Sequence, residues 1–66
     1  MKLVINGDER ELDDGMTISS LLASKDLRPE MVVVEHNGEI VPRAEYERIV
    51  LGEGHNLEIV QMMAGG

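Results

Sequence analysis

The sequence predicts an α+β fold, a mixed sheet of four to five strands curled around one helix. Three observations predict it. Two β-branched runs, Lys2 to Ile5 and Met31 to His36, each lead into an Asn-Gly pair, Asn6-Gly7 and Asn37-Gly38. Asn-Gly after such a run marks a tight hairpin turn, since both residues tolerate positive φ. Ile18, Leu21 and Leu22 share the i, i+3, i+4 spacing of one apolar helix face. The final segment alternates, with Leu57, Ile59 and Gln61 on one face and Glu58, Val60 and Met62 on the other.

In chain order, Lys2 to Ile5 forms the first strand, with Leu3 and Ile5 on its inner face. Arg10-Glu11-Leu12 returns beside it, and Leu12 is expected in the core. Asp14-Gly15 turns the chain. Thr17 is the expected N-cap, because its hydroxyl can accept from an otherwise unpaired N–H. Ser20 stands at N3, so the Glu half of a capping box is missing. The helix runs to Lys25, whose charge suits the negative end of the helix dipole, and Pro29 bars its extension. Met31 to His36 is the third strand, and Glu39-Ile40-Val41 is a short fourth strand stopped by Pro42. Ala44 to Leu51 lacks a clean period and reads as a loop with a short helical turn. Gly52-Glu53-Gly54 turns into the last strand, Leu57 to Met62. The expected core is Leu3, Ile5, Leu12, Ile18, Leu21, Leu22, Val32, Val34, Ile40, Leu57 and Ile59, joined by Leu51, with Tyr46 half-buried.

Composition bounds the function. Sixty-six residues, 42% hydrophobic and 29% charged, make one small globular domain. A domain of that size buries only about 60% of its unfolded surface, too little to wall off a dry catalytic cavity easily. A binding module, carrier or subunit is the expectation, not an independent enzyme. Thirteen acidic residues against six basic ones give a net charge of −7. That argues against nucleic-acid binding, which runs on Lys and Arg. Tyr46 is the sole aromatic residue, so no base-stacking platform exists. The chain has no Cys, which excludes disulfides, thiolate zinc sites and a cysteine nucleophile. No signal peptide is visible and no apolar run approaches a membrane span. A cytoplasmic protein without membrane contact is expected.

The candidate chemistry is concentrated at the end of the sequence. Gly65-Gly66 follows directly on the last strand region. Two residues without side chains can enter a narrow channel and present a carboxylate to another protein's active site; a frayed end is the alternative. The chain divides accordingly into a domain over 1–63 and a flexible tail over 64–66. Val4 and Val60 are expected on the sheet face away from the helix. With Met62 and Met63 they form a modest apolar partner surface. His36 with Glu39 and His55 with Glu58 have a metal-like spacing. Each pair straddles a turn and a strand, so the ligands would not share a helix face, and no metal site is expected. Ser19, Ser20 and Ser24 have no adjacent base, and Gly52-Glu53-Gly54 is too short for a phosphate loop.

Over essentially its full length the chain resembles the ThiS-type sulfur carrier proteins of thiamin thiazole biosynthesis. The resemblance rests on Asn6-Gly7, Thr17 opening Ile18 to Leu22, and the block Asn37-Gly38-Glu39-Ile40-Val41-Pro42-Arg43. It continues through Tyr46, Gly54 and the terminal Gly65-Gly66. It implies a β-grasp, ubiquitin-like fold and a carrier that is not an enzyme. It implies that a ThiF-type adenylating enzyme, using ATP and Mg²⁺ in its own site, activates the Gly66 carboxylate. Sulfur from a donor such as a cysteine desulfurase system then converts it to a thiocarboxylate, and thiazole synthase takes the sulfur. No cofactor is held stably by the carrier. Gly65 and Ala64 form the tail behind Gly66. Three positions depart from the family pattern: His55 where Asp is frequent, Ser20 where Glu is common, and Met62-Met63-Ala64 before the glycine pair.

Two other readings stand beside this one. The same carrier chemistry could serve molybdopterin, cysteine or methionine synthesis. Alternatively, the chain could be a ubiquitin-like module that binds partners non-covalently through Val4, Val60 and Met62.

Overall fold

The computed structural model describes residues 1–62. Five strands form one mixed sheet: β1 (Lys2–Ile5), β2 (Asp8–Glu11), β3 (Val32–His36), β4 (Glu39–Ile40) and β5 (Asn56–Gln61), with α1 (Ile18–Ser24) between β2 and β3. The sheet order is β2-β1-β5-β3-β4. β5 lies at the centre, parallel to β1 and antiparallel to β3. Ile18, Leu21 and Leu22 of α1 pack with Leu3, Ile5, Val32, Val34, Leu57 and Ile59 of the sheet in one core. This is the β-grasp arrangement.

Both hairpins turn on Asn-Gly with positive φ at each residue, 52° and 83° for Asn6-Gly7 and 51° and 88° for Asn37-Gly38. The tight turns fix the registers, and the registers correct two core assignments. Across the first hairpin Ile5 faces Asp8 and Lys2 faces Glu11, so Leu12 falls beyond the ladder. Its N–H donates to the Met1 carbonyl at 2.9 Å, and its side chain is only partly buried against the core. β2 itself is Asp8-Glu9-Arg10-Glu11, fully exposed, and charged residues on an edge strand discourage pairing with other chains. Across the second hairpin Ile40 faces Glu35 on the outer side of the sheet. Ile40 is 70% exposed, not a core residue. The next residue, Val41, takes the inner face instead and donates its N–H to Val34 at 2.9 Å.

The helix is closed at both ends by local chemistry. Thr17 Oγ1 accepts from Ser20 N–H at 3.0 Å, and Ser20 Oγ accepts from Thr17 N–H at 2.8 Å. The reciprocal box is therefore complete, with serine supplying the acceptor that Glu or Gln usually gives. Lys25 is the C-cap, not a residue of the last turn. After it Asp26 adopts φ 57°, and Leu27 N–H donates to the Leu22 carbonyl while Asp26 N–H donates to that of Ala23. This pair of bonds is the Schellman closure, here with Asp in the left-handed position. Pro29 opens a short 3₁₀ turn, Pro29–Met31, that leads into β3.

The 43–51 segment contains a 3₁₀ turn, Arg43–Glu45, and then crosses the start of the helix. The carbonyls of Ile49 and Tyr46 accept from the N–H groups of Ile18 and Ser19, at 3.2 and 2.9 Å. The segment thereby satisfies helix-terminal donors that would otherwise lack partners. Docking there buries Tyr46 to 3% exposure, deeper than the half-burial expected, and buries Leu51.

Candidate functional site

β5 positions the candidate tail. β3 flanks it from Leu57 to Gln61, and β1 flanks its first two residues, Asn56 and Leu57, on the other side. At its far end Gln61 faces Val32, and Met62 N–H donates to the Met31 carbonyl at 2.7 Å. The strand is thus held to the last described residue. Met63, Ala64, Gly65 and Gly66 lie outside the described residues, as does the expected division at residue 63.

β1 ends sooner than its neighbour, and a side chain continues the pairing. Asn6 Oδ1 accepts from Ile59 N–H at 2.7 Å, and its Nδ2 donates to the Ile59 carbonyl at 3.2 Å. The amide thus acts as one further peptide unit of β1. Asn37 does related work at the other end of β5, where its Oδ1 accepts from Asn56 N–H at 2.9 Å. Asn6→Ala removes both bonds to Ile59 and leaves a strand N–H unpaired. It is expected to cost about 1–3 kcal/mol in urea unfolding. Asn6→Asp, which keeps the acceptor, is expected to cost less. Equal stabilities for Asn6→Ala and the parent would show that the amide does not hold β5.

The expected partner surface lies on the outer face of the sheet. Val60 is 57% exposed and Met62 45% exposed, while Val4 is half-buried. Alternation adds Val33, which sits directly opposite Val60, and Met31 is exposed beside Met62. Val33 was legible as a residue between two core positions, Val32 and Val34. Carboxylates frame the stripe: Glu9 faces Val4, and Glu35 faces Glu58. Two of the three helix serines are occupied locally. Ser20 Oγ serves the helix cap and Ser24 Oγ donates to the Leu21 carbonyl at 2.7 Å.

His36 and His55 do not pair with the carboxylates three residues on. They meet each other, with His36 Nε2 and His55 Nδ1 2.9 Å apart. Burial lowers the pKa of His36 from its ordinary value, positive charge on His55 lowers it further, and Glu39 opposes both. His36, Glu39 and Glu45 line an open groove of about 430 Å³. The groove sits by the start of β5, at the end of the sheet away from Met62. Among the described residues no group of three or more His, Cys, Asp or Glu is placed to hold a metal ion. No described helix is long and apolar enough to cross a membrane.

Known proteins are similar to this chain in sequence and in architecture. The chain is 44% identical, over all its 66 residues, to part of a thiazole synthase of Paramagnetospirillum magneticum, and spans 20% of that protein's length. It is 38% identical over 65 residues to the sulfur carrier protein ThiS of Bacillus subtilis, with 97% of this chain and 98% of that protein covered. A crystal structure of a thiamine biosynthesis protein, ThiS, from Geobacter metallireducens superposes with a TM-score of 0.83 at 29% identity, covering both chains completely. The family model described as ThiS family matches residues 3–66. With that match running through nearly every residue and a full-length relative above 30% identity, the chain belongs to the ThiS family.

Proposed function

We propose that this chain is a sulfur carrier of thiamin biosynthesis and that the Gly66 carboxylate is its working group. The observation that carries the reading is the family match, which extends through Gly65-Gly66. A carboxylate oxygen is a poor leaving group, so sulfur cannot replace it directly. A ThiF-type partner, holding ATP and Mg²⁺ in its own site, joins the carboxylate to AMP and releases pyrophosphate. A sulfide-level sulfur, supplied by a donor such as a cysteine desulfurase system, then attacks the carbonyl carbon. The bond to AMP breaks and a thiocarboxylate remains.

The carrier supplies no catalytic side chain to these steps. It supplies a strand, β5, hydrogen-bonded as far as Met62, and Ala64, Gly65 and Gly66 follow in the sequence. The stripe of Val4, Val60 and Met62 gives the partner an apolar surface to grip, and Met63, next in the sequence, is assigned to the same contact. Thiazole synthase is the proposed recipient. The likeness of the whole chain to one-fifth of a thiazole synthase supports that assignment.

Intact mass after incubation with ATP, Mg²⁺, the adenylating enzyme and a sulfur source tests the proposal. The expected product is heavier by the replacement of one oxygen with sulfur, at the last residue. An unchanged mass with a demonstrably active enzyme would refute the carrier role and leave non-covalent binding through the sheet face.

A further inference from the structure

The two histidines form a contact that the carrier chemistry does not use. His36 ends β3, and His55 lies in the turn that launches β5. Their rings meet edge to face, with centroids 4.7 Å apart and planes at 64°. A third group settles which nitrogen carries the proton. Gly52 N–H points at His55 Nδ1, 3.2 Å away. A backbone amide can only donate, so Nδ1 must be the acceptor. His36 Nε2, 2.9 Å from the same atom, must then be a donor. Both neutral rings therefore carry their proton on Nε2.

The surroundings hold the contact in place. The His55 carbonyl accepts from Val4 N–H at 2.9 Å, and Asn37 N–H donates to the Asn56 carbonyl at 2.8 Å. The His55 ring lies over Gly52, where an added Cβ would come within 3.1 Å of His55 Nε2. Glu39 faces His36 across the β3–β4 ladder, and Glu45 lines the same groove. Glu53, in the turn itself, accepts from Lys2 N–H at 2.8 Å.

We propose that His36 and His55 form a coupled proton-binding clasp joining the end of β3 to the turn before β5, closed with one proton added and opened by the second. The first added proton enters at His36 Nδ1. The Nε2–H bond to His55 survives. The second proton has only His55 Nδ1 to occupy. Its N–H would face His36 Nε2–H and Gly52 N–H, three donors without an acceptor, beside a ring already charged. The closed clasp therefore takes one proton where two free histidines take two.

The sign of the pH dependence follows. An unfolded chain titrates both rings near their ordinary value of about 6.5. Below that value the unfolded state binds more protons than the closed clasp, so stability falls as pH falls. Stability is complete above about pH 7. Burial, which lowers the proton affinity of His36, acts with the same sign. One proton of difference changes the folding equilibrium constant about tenfold per pH unit. The loss levels off once the clasp opens. Opening separates the two rings, while the backbone bonds at His55 and Asn56 still hold the start of the central strand.

Nitrogen-15 NMR of the imidazole rings in the whole chain, between pH 4.5 and 8.5, tests the clasp. Both neutral rings are expected as Nε2–H tautomers, with a scalar coupling across the bond from His36 Nε2 to His55 Nδ1. The rings are expected to titrate as a pair in two separated steps. An Nδ1–H tautomer at His55, or two independent one-proton curves, would overturn the proposal. His55→Asn keeps an acceptor oxygen and removes the titration. Relative to that variant, the parent is expected to lose stability below about pH 6.5, and parallel stability curves would also overturn it. Should His55→Asn fail to fold, the tautomers and the coupling in the parent decide alone.

Discussion

A chain lacking Gly66 is expected to fold like the parent and to lose activation by its adenylating enzyme by at least about a hundredfold. Among the described residues every core residue lies between Leu3 and Ile59, so the deletion is expected to leave that packed interior intact. It moves the last carboxylate back by one residue, about 3.3–3.6 Å along an extended chain. A displacement of 1 Å at a reacting centre can already cost about a hundredfold in rate. The measurement is pyrophosphate release by the partner enzyme, with circular dichroism and thermal unfolding run in parallel. Activation of the shortened chain at the parent's rate would refute the role given to Gly66. A shortened chain that unfolds would show instead that the end of the sequence belongs to the fold.

Leu57→Ala is expected to remove most of the domain's stability. Leu57 is fully buried on the central strand, facing Ile5 on one side and His36 on the other. Its carbonyl also accepts from Asn6 N–H at 2.8 Å. Truncating a buried leucine costs about 2–5 kcal/mol, from lost transfer energy and the cavity left behind. At about 0.05–0.15 kcal/mol per residue, a domain of this length has only about 3–10 kcal/mol in all. Val60→Ala on the same strand removes a side chain that is 57% exposed. It is expected to shift stability by no more than about 0.5 kcal/mol while weakening partner binding. Urea unfolding of the two variants separates the inner face of β5 from its outer face. Comparable losses for both would contradict that division.

The same strand illustrates how far the sequence reaches. The alternation of Leu57 to Gln61 is local and strict, so its faces were legible at once. Asn6-Gly7 and Asn37-Gly38 were legible for the same reason, since their backbone demands are carried by the two residues themselves. The register that each turn imposes was not. Ile40 and Val41 are equally apolar neighbours, and only the pairing of Glu35 with Ile40 decides which one is buried. The serine version of the helix cap escaped the pattern because the pattern specifies Glu or Gln, whereas the backbone N–H requires only an acceptor within reach.

By itself the sequence determined the element order, the inner faces of β1, β3 and β5, the apolar face of α1 and the glycine pair on which the carrier proposal rests. These depend on spacing within a few residues, where backbone geometry leaves few choices. The tertiary structure decided what distant residues do to one another. Tyr46 is buried because the 43–51 segment docks on the helix N-terminus. Asn6 extends β1 because β5, 53 residues further on, offers a free N–H and carbonyl at Ile59. His36 and His55, 19 residues apart, meet because antiparallel pairing brings the end of β3 beside the start of β5. Long-range contacts of this kind are set by packing the whole chain at once, and no local pattern carries them.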